Sequence, residues 1–323
     1  MTVNLDARWL GHHGIARFAR EVLSRLPTSY GRTSGGSPFC PISVGSIRAS
    51  KHDILYSPGF NPRISRGAQI LTVHDLIHLD MPEEAGKLRS LYYERFVRPT
   101  VTRSGIVHTV SDFSARRIRE WLDDNSIRVL NVGNSVSDAF KPSGPSWEYD
   151  LQTFLYVGNL KPHKNAEVIW AALKQCTGYR MEVVTSDIQE ANRLSSHYGI
   201  QSRVKVSSRI SDLELARKYR GSIGLLFPSL IEGFGLPPLE AISCARPVAY
   251  SESCDVVAET VGDQGVSVSL SSDAEAWVSA MEQLANSAWS AVSFKSQFPR
   301  SWDDVATSVL KSIRSLNDYD SSS

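Results

Sequence analysis

Residues 229–241 read SLIEGFGLPPLEA. Glu232 and Glu240 bracket a run of two glycines, two prolines and otherwise only apolar residues. As a core helix the run is poorly composed, because glycine costs backbone entropy and proline removes an amide donor. It fits better as a turn from a strand into a helix. The apolar SIGLLFPS (222–229) precedes it, and the helix-forming AISCA follows. In a doubly wound α/β sheet such a turn lies at the carboxyl edge, where ligands bind. Pro237 or Pro238 suits the first helical turn, where the missing N–H would be unpaired anyway. Gly233 and Gly235 allow a ligand close to the backbone, and the amides opening the helix present partial positive charge. Between two acids, that turn suits a ligand that is both phosphorylated and rich in hydroxyls. The plainer alternative is a glycine-rich turn with one surface glutamate and one glutamate favoured by the helix dipole.

The same strand-and-helix alternation runs along the chain. Short β-branched or apolar runs occur at 53–58, 69–75, 105–111 and 127–133, and again at 153–159, 180–186, 203–208, 222–229 and 247–251. Runs of this kind suit strands buried on both faces, as in parallel sheets. Amphipathic helix candidates lie between them at 15–26, 114–122, 166–176 and 211–220. The expected fold is therefore α/β, with two Rossmann-like, doubly wound domains facing each other across a cleft. A length of 323 residues accommodates two such domains. The segment KPSGPSWEYD (141–150) breaks the pattern and separates residues 1–143 from 144–323, with the last helix packing back on the first domain. Residues 28–52 show little regular pattern, and the tail SLNDYDSSS reads as unordered.

Composition excludes several classes. A hydrophobic share of 41% and a charged share of 21% are those of an ordinary globular chain. No apolar run is long enough to span a bilayer, and Asp6 and Arg8 stand where a signal peptide would be apolar, so a cytoplasmic protein is expected. Cys40, Cys176, Cys244 and Cys254 lack metal or redox spacing and read as reduced thiols. The net charge of +1 divides into an excess of six positive charges over residues 1–146 and five negative over 147–323. The basic half either attracts phosphates or an anionic membrane at the cytoplasmic face, or is a solvated surface. No nucleic-acid motif is present, and no nucleic-acid partner is expected.

Four further stretches join the first. YVGNLKPHKN (156–165) ends a strand with Asn159 and Lys164, and TVHDLIHLDMPE (72–83) ends another with His74 and Asp75. GHHGIARFAREVL (11–23) contains Gly14 and Arg17, and VSDFSARRI (110–118) contains Ser111. With EGFGLPPLEA they resemble the motifs of retaining glycosyltransferases of family 4, which have the GT-B fold. The EGFGLPPLEA segment is similar to that family's E-x7-E signature throughout. The matches follow the expected order from about residue 4 to 260.

The resemblance implies a nucleoside diphosphate sugar donor and a glycan or lipid-linked glycan acceptor, in surface polysaccharide biosynthesis. Glu232 would contact the donor sugar, Glu240 the ribose hydroxyls, and Gly233, Phe234, Gly235 and Leu236 the sugar or phosphate. Lys164 would neutralise the diphosphate; otherwise it is an exposed lysine at a helix start. Relatives often carry a second cation near it, where this chain has His163 and Asn159. His74 would lie beside the reacting sugar, and Asp75 would orient its ring or hold an acceptor hydroxyl. Gly14 would border the cleft, although Ala16 stands where a second glycine is common. Arg17 either faces the cleft or pairs with Glu21. Ser111 lies near the donor or caps its helix, with capping favoured. SSRISDLELARKYR (207–220) resembles the segment bordering the nucleotide base.

The resemblance implies a hexosyl or deoxyhexosyl group, mannose- or rhamnose-like. No cofactor and no metal are expected. The D-x-D pair Asp318 and Asp320 lies in the polar tail, and adjacent His12 and His13 cannot form a helical metal pair. His78 and Asp80 read as packing and turn residues. A nucleotide-sugar epimerase or hydrolase, or a non-catalytic nucleotide-sugar-binding subunit, would fit the same two-domain cleft.

Overall fold

The computed structural model of the chain describes residues 2–9, 11, 14–34, 50, 53–80, 87–287, 289 and 301–320. Cys40, His12 and His13 lie outside the described residues, as do the side chains of His78, Asp80, Asp318 and Asp320. Two compact units are present: Met1–Ser135 with Arg300–Ser323, and Val136–Pro299.

The first unit holds a six-stranded parallel sheet in the order β2-β1-β3-β4-β5-β6. Its strands are β1 (Val3–Asp6), β2 (Gly31–Thr33), β3 (Ile54–Ser57), β4 (Ala68–Thr72), β5 (Ile106–Thr109) and β6 (Arg128–Asn131). The second unit holds another, ordered β12-β11-β10-β7-β8-β9. These are β7 (Thr153–Val157), β8 (Arg180–Val184), β9 (Val204–Ser207), β10 (Leu225–Phe227), β11 (Val248–Ser251) and β12 (Gly265–Val268). All pairings are parallel, for example Tyr56↔Ile70 in the first sheet and Tyr156↔Val183 in the second. Central strands β3, β5 and β11 are buried along their whole length, as helices on both faces require.

Three strands carry too little pattern to be read in advance. β1 ends on the charged Asp6, and β2 is a three-residue edge strand within the stretch 28–52 that shows no regularity. β12 is an edge strand of alternating burial. Helices also occur where no periodicity was evident, at Arg98–Ser104, Ile188–His197, Asp255–Val261 and Ala274–Asn286. The tail departs from expectation: Trp302–Asp320 is one helix, so residues 315–320 continue a helix whose earlier turns are packed.

That packing is specific. Trp302, Val305, Val309 and Ile313 are buried in the first unit, and the Trp302 ring meets Phe18 at 6.1 Å. Asp303 accepts from Arg25 at 2.8 Å, and Ser312 Oγ shares a 2.7 Å hydrogen bond with His108 Nε2 on β5. In the second unit Trp170 and Trp277 are fully buried around Phe154, Met181 and Leu173. Cys176, Cys244 and Cys254 are buried free thiols, and burial raises the pKa of Cys244 to about 12.

His108 is completely buried, and desolvation lowers its pKa to about 3. Below pH 6.5 the unfolded chain takes up a proton that the folded chain refuses, so stability falls as pH falls toward 3. The expected slope is about 1.4 kcal/mol per pH unit from this one group. Denaturant unfolding at pH 7.5 and 5.5 should show that His108→Gln loses about 1 kcal/mol less between the two than the parent chain. Equal losses would remove His108 as the source.

Candidate functional site

In the second sheet the chain builds outward from β7 to β8 and β9, then returns to place β10, β11 and β12 on the other side of β7. The order therefore reverses between β7 and β10, and the loops leaving their carboxyl ends diverge there. Such a switch point leaves a crevice for a ligand. The loop after β7 carries Asn159 and Lys164, and the loop after β10 carries Glu232 through Gly235.

Side chains and backbone together hold the first loop. Tyr156 donates its hydroxyl to Asn159 O at 2.7 Å, and Asn159 Oδ1 accepts from Lys161 N at 3.3 Å. Asp187 Oδ2 accepts from Leu160 N at 2.8 Å. Burial, and next the charge of Glu232, raise the pKa of Tyr156, so its hydroxyl keeps the donating proton. A 3-10 turn, Pro162–Lys164, ends at Asn165, whose φ of 47° is left-handed and whose Nδ2 donates to Ser271 O at 2.8 Å. Leu230 N then donates to His163 O at 2.9 Å, joining the two loops by their backbones.

The consequence is a direct contact. Lys164 Nζ donates to Glu232 Oε1 at 2.5 Å, and the two side chains are only 15% and 12% exposed. The ammonium also lies 5.9 Å from the Phe227 ring centre. Lysine and glutamate thus neutralise each other, within reach of solvent. An anion that displaces the carboxylate from the lysine leaves Glu232 free to accept from a hydroxyl donor.

The helix Leu236–Ser243 supplies the rest. Gly235 caps it with φ 83°, a conformation that costs a side chain energy, and a Cβ there would meet Val257 Cγ2 at 3.1 Å. Pro237 and Pro238 occupy the first turn and delete two of its amide donors. Among the described residues the N–H groups of Phe234, Gly235 and Leu236 have no acceptor. Positive potential at the helix start is thereby concentrated in a few amides beside Glu232. Glu240, one turn further on, is 4% exposed and accepts from Tyr219 O–H at 3.2 Å. The same hydroxyl reaches Pro237 O at 3.2 Å, so Tyr219 holds both ends of the turn.

In the first unit a second group converges. His74 Nε2–H donates to Pro58 O at 2.9 Å, and its ring stands edge-on to Phe18 at 4.9 Å. Phe18 belongs to the helix Gly14–Arg25, which begins at Gly14 and carries Arg17. Glu21, the partner considered for Arg17, is held by Arg25 at 2.8 Å and lies 3.7 Å from Arg20. Ser111 caps the helix Asp112–Leu122 by accepting from Ser114 N at 3.0 Å. Ser114 Oγ donates in turn to His74 O at 3.0 Å, and Asp75 Oδ1 accepts from Ile77 N at 3.2 Å. The structure joins Lys164 to Glu232, and His74 to Phe18 and Ser114 on the helices that follow Gly14 and Ser111; the supporting Tyr156, Asp187 and Tyr219 were not singled out in advance. A buried tyrosine in an amphipathic helix, with a hydroxyl that needs a partner, is the one signal that points to Tyr219. Among the described residues no cluster of His, Cys, Asp and Glu could hold a metal ion, and no helix is long and apolar enough to cross a membrane.

Residues 143–297 match the family described as glycosyl transferases group 1, and the two-sheet architecture is GT-B. The second unit therefore carries a group 1 glycosyl transferase match along nearly its whole length. It is 25% identical over 301 residues to O-antigen chain mannosyltransferase B of Escherichia coli, covering 84% of this chain and 76% of the relative. It is 27% identical over 221 residues to O-antigen chain mannosyltransferase RfbU of Salmonella typhimurium, covering 67% of this chain and 60% of the relative. Anabaena HepE, solved with UDP and glucose, superposes with a TM-score of 0.71 at 12% identity, over 98% of this chain and 100% of that one.

Gly235→Ala should cost about 1–2 kcal/mol in denaturant unfolding, since alanine must adopt the left-handed conformation and displace Val257. Unchanged stability would show that the turn relaxes freely.

Proposed function

We propose that this chain is a retaining, metal-independent hexosyltransferase that moves a mannose-like sugar, or a related deoxyhexose, from a nucleoside diphosphate to a lipid-linked glycan. It would act in surface polysaccharide synthesis at the cytoplasmic face of a membrane. The mannosyl and O-antigen assignments of the sequence relatives support that choice of sugar and pathway. The observation that carries the chemistry is the exchangeable Lys164–Glu232 pair beside the open amides of Phe234, Gly235 and Leu236.

In this scheme Lys164 and those amides hold the diphosphate and stabilise the charge that grows as its bond to the anomeric carbon breaks. Glu232, released from Lys164, orients the sugar hydroxyls and supports positive charge at that carbon. Glu240, held by Tyr219, takes the ribose hydroxyls. Asn159 shapes the donor loop. The acceptor oxygen forms the new bond on the face the diphosphate leaves, and a departing phosphate oxygen receives the acceptor proton. No separate side-chain base is required, so the two-carboxylate scheme of glycoside hydrolysis does not apply. The first unit binds acceptor, with His74 bonding a sugar hydroxyl or the acceptor and Asp75, Gly14, Arg17 and Ser111 lining that side. The second unit binds donor.

Glu232→Ala and Lys164→Ala should each lower kcat by about 10²–10³-fold with the fold intact; near-normal turnover in either variant would overturn its role. Sugar freed or isomerised equally fast without acceptor would replace transfer with hydrolysis or epimerisation. Adding a chelator should leave the rate unchanged, and inhibition reversed by Mg²⁺ or Mn²⁺ would overturn metal independence. A nucleoside diphosphate at 100 times its Kd should stabilise the chain by about 2.7 kcal/mol. Thermal shift across the bases would identify the donor, and a flat response to every base would exclude nucleotide binding.

A further inference from the structure

The segment 141–150, which breaks the strand-and-helix pattern of the sequence, also builds a cavity in the second unit. Trp147 N donates to Arg217 O at 2.8 Å, which pins the segment on the helix Asp212–Gly221. Gly221 makes that approach possible, because a Cβ there would collide with Trp147 O. Between the pinned segment and the starts of β7, β8 and β9 lies a cavity of about 150 Å³, lined by Trp147, Tyr149, Thr153, Arg180, Glu182 and Lys205. The exposed Ser202 and Lys205 stand at its rim. It occupies the amino edge of the sheet, whereas the crevice between β7 and β10 opens at the carboxyl edge, about 15 Å away along a five-residue strand.

Three polar atoms of the lining are buried without a hydrogen-bond partner among the described residues: Tyr149 Oη, Arg180 Nε and Glu182 Oε2. Glu182 is 1% exposed, and its other oxygen is occupied, accepting from Lys218 Nζ at 2.8 Å and from Ser207 Oγ at 2.9 Å. Burial, and next the charge of Glu182, raise the pKa of Tyr149, so the phenol keeps its proton as a donor. Buried groups left unmet are costly, and a ligand that meets all three gains accordingly. Their signs narrow its chemistry. A lone anion drawn to Arg180 and Lys205 would also face Glu182 Oε2, and a lone cation drawn to Glu182 would face Arg180, Lys205 and Lys218. A hydroxyl escapes both conflicts, because it donates to the carboxylate and accepts from the guanidinium. Several hydroxyls on one ring suit the whole set, and a volume of this order holds a six-membered ring. Tyr149 and Trp147 wall the space with aromatic carbon, the Trp147 ring being held by Lys218 Nζ at 4.0 Å from its centre.

We infer that this cavity is a second carbohydrate site that binds one neutral pyranose unit, whose hydroxyls donate to Glu182 and accept from Arg180 and Tyr149. The choice of mannosides as probes rests on the proposed reading of a mannose-transferring enzyme; the pyranose class rests on the cavity alone.

Saturation-transfer NMR on the full chain, with methyl α-mannoside, methyl α-glucoside and α-mannotriose as probes, tests the site. At least one glycoside should bind the parent chain and Glu232→Ala alike, which separates the cavity from the crevice at the other edge. Tyr149→Phe should weaken that binding about fivefold by removing one hydrogen bond. Ser202→Trp, which fills the rim from an exposed position, should abolish it. Both variants should keep the parent's melting temperature and its thermal response to nucleoside diphosphates. Inorganic phosphate and methylammonium should not displace the sugar. A parent chain that binds none of the three glycosides overturns the proposal, whatever its transferase activity, as does binding that neither substitution weakens or that either ion displaces. Tighter binding of the trisaccharide would make the occupant a unit of a glycan chain, and equal affinities would make it a single sugar; both outcomes uphold the pyranose.

Discussion

The backbone hydrogen bond from Leu230 N to His163 O is the constraint on which the second unit's chemistry depends. It joins two loops whose strands, β7 and β10, are neighbours in the sheet although three helices and two strands separate them in the chain. Parallel pairing brings the carboxyl ends of both strands to the same edge, and the reversal of strand order sends their connections to opposite faces. Without a link the two loops would be free to part. With it, Lys164 and Glu232, 68 residues apart in sequence, come within hydrogen-bonding distance. The proposed place of the diphosphate rests on that juxtaposition together with the amide-poor start of the next helix.

The helix start shows how composition serves binding. Two successive prolines would normally be read only as a helix boundary. In the structure they also remove two donors from the first turn, leaving the amides from Phe234 to Leu236 without an acceptor among the described residues. Gly235 is needed at the left-handed corner because Val257 leaves little room for a Cβ. Tyr219 then fixes Glu240 and the carbonyl of Pro237 through a single hydroxyl, so the carboxylate one turn into the helix is oriented before a ligand arrives.

The α/β class, nine of the twelve strands and the main turn were legible because buried parallel strands leave continuous apolar runs and the E-x7-E turn has an unusual composition. β1, β2 and β12 were not legible: they are short or lie at an edge, and β1 hides a buried charge at Asp6 that reads locally as surface. A last helix returning to the first domain was expected, but the extent of Trp302–Asp320 into the polar stretch from Ser315 was not legible. The contacts that seat the helix, with Phe18, Arg25 and His108, are all distant in sequence. Within the candidate site the charged residues were legible and their supports were not. Asp187 and Tyr219 act through a backbone amide and a carboxylate far along the chain, and no local pattern encodes such partners.

The two sheets also make opposite use of the same topological position. In the first sheet the order reverses between β1 and β3, and there Arg8 grips Asp6 at 2.7 and 2.9 Å with both side chains fully buried. Arg63 lies 3.5 Å from the same carboxylate, Arg8 also donates to Asn61 O, and Ser57 Oγ donates to Asp6 Oδ2. Breaking such a pair leaves an uncompensated buried charge at a cost of about 3–5 kcal/mol. A ligand offering one phosphate would gain too little to displace it, so this cluster works as structure. The Lys164–Glu232 pair has one hydrogen bond and partial exposure, and replacing its carboxylate by a diphosphate keeps the ammonium paired throughout. Exchange there would keep the ammonium paired and release the Glu232 carboxylate, which the proposed reading pairs with sugar hydroxyls. That difference, rather than the presence of charged residues at a switch point, is the ground for proposing a ligand site at the second sheet and none at the first.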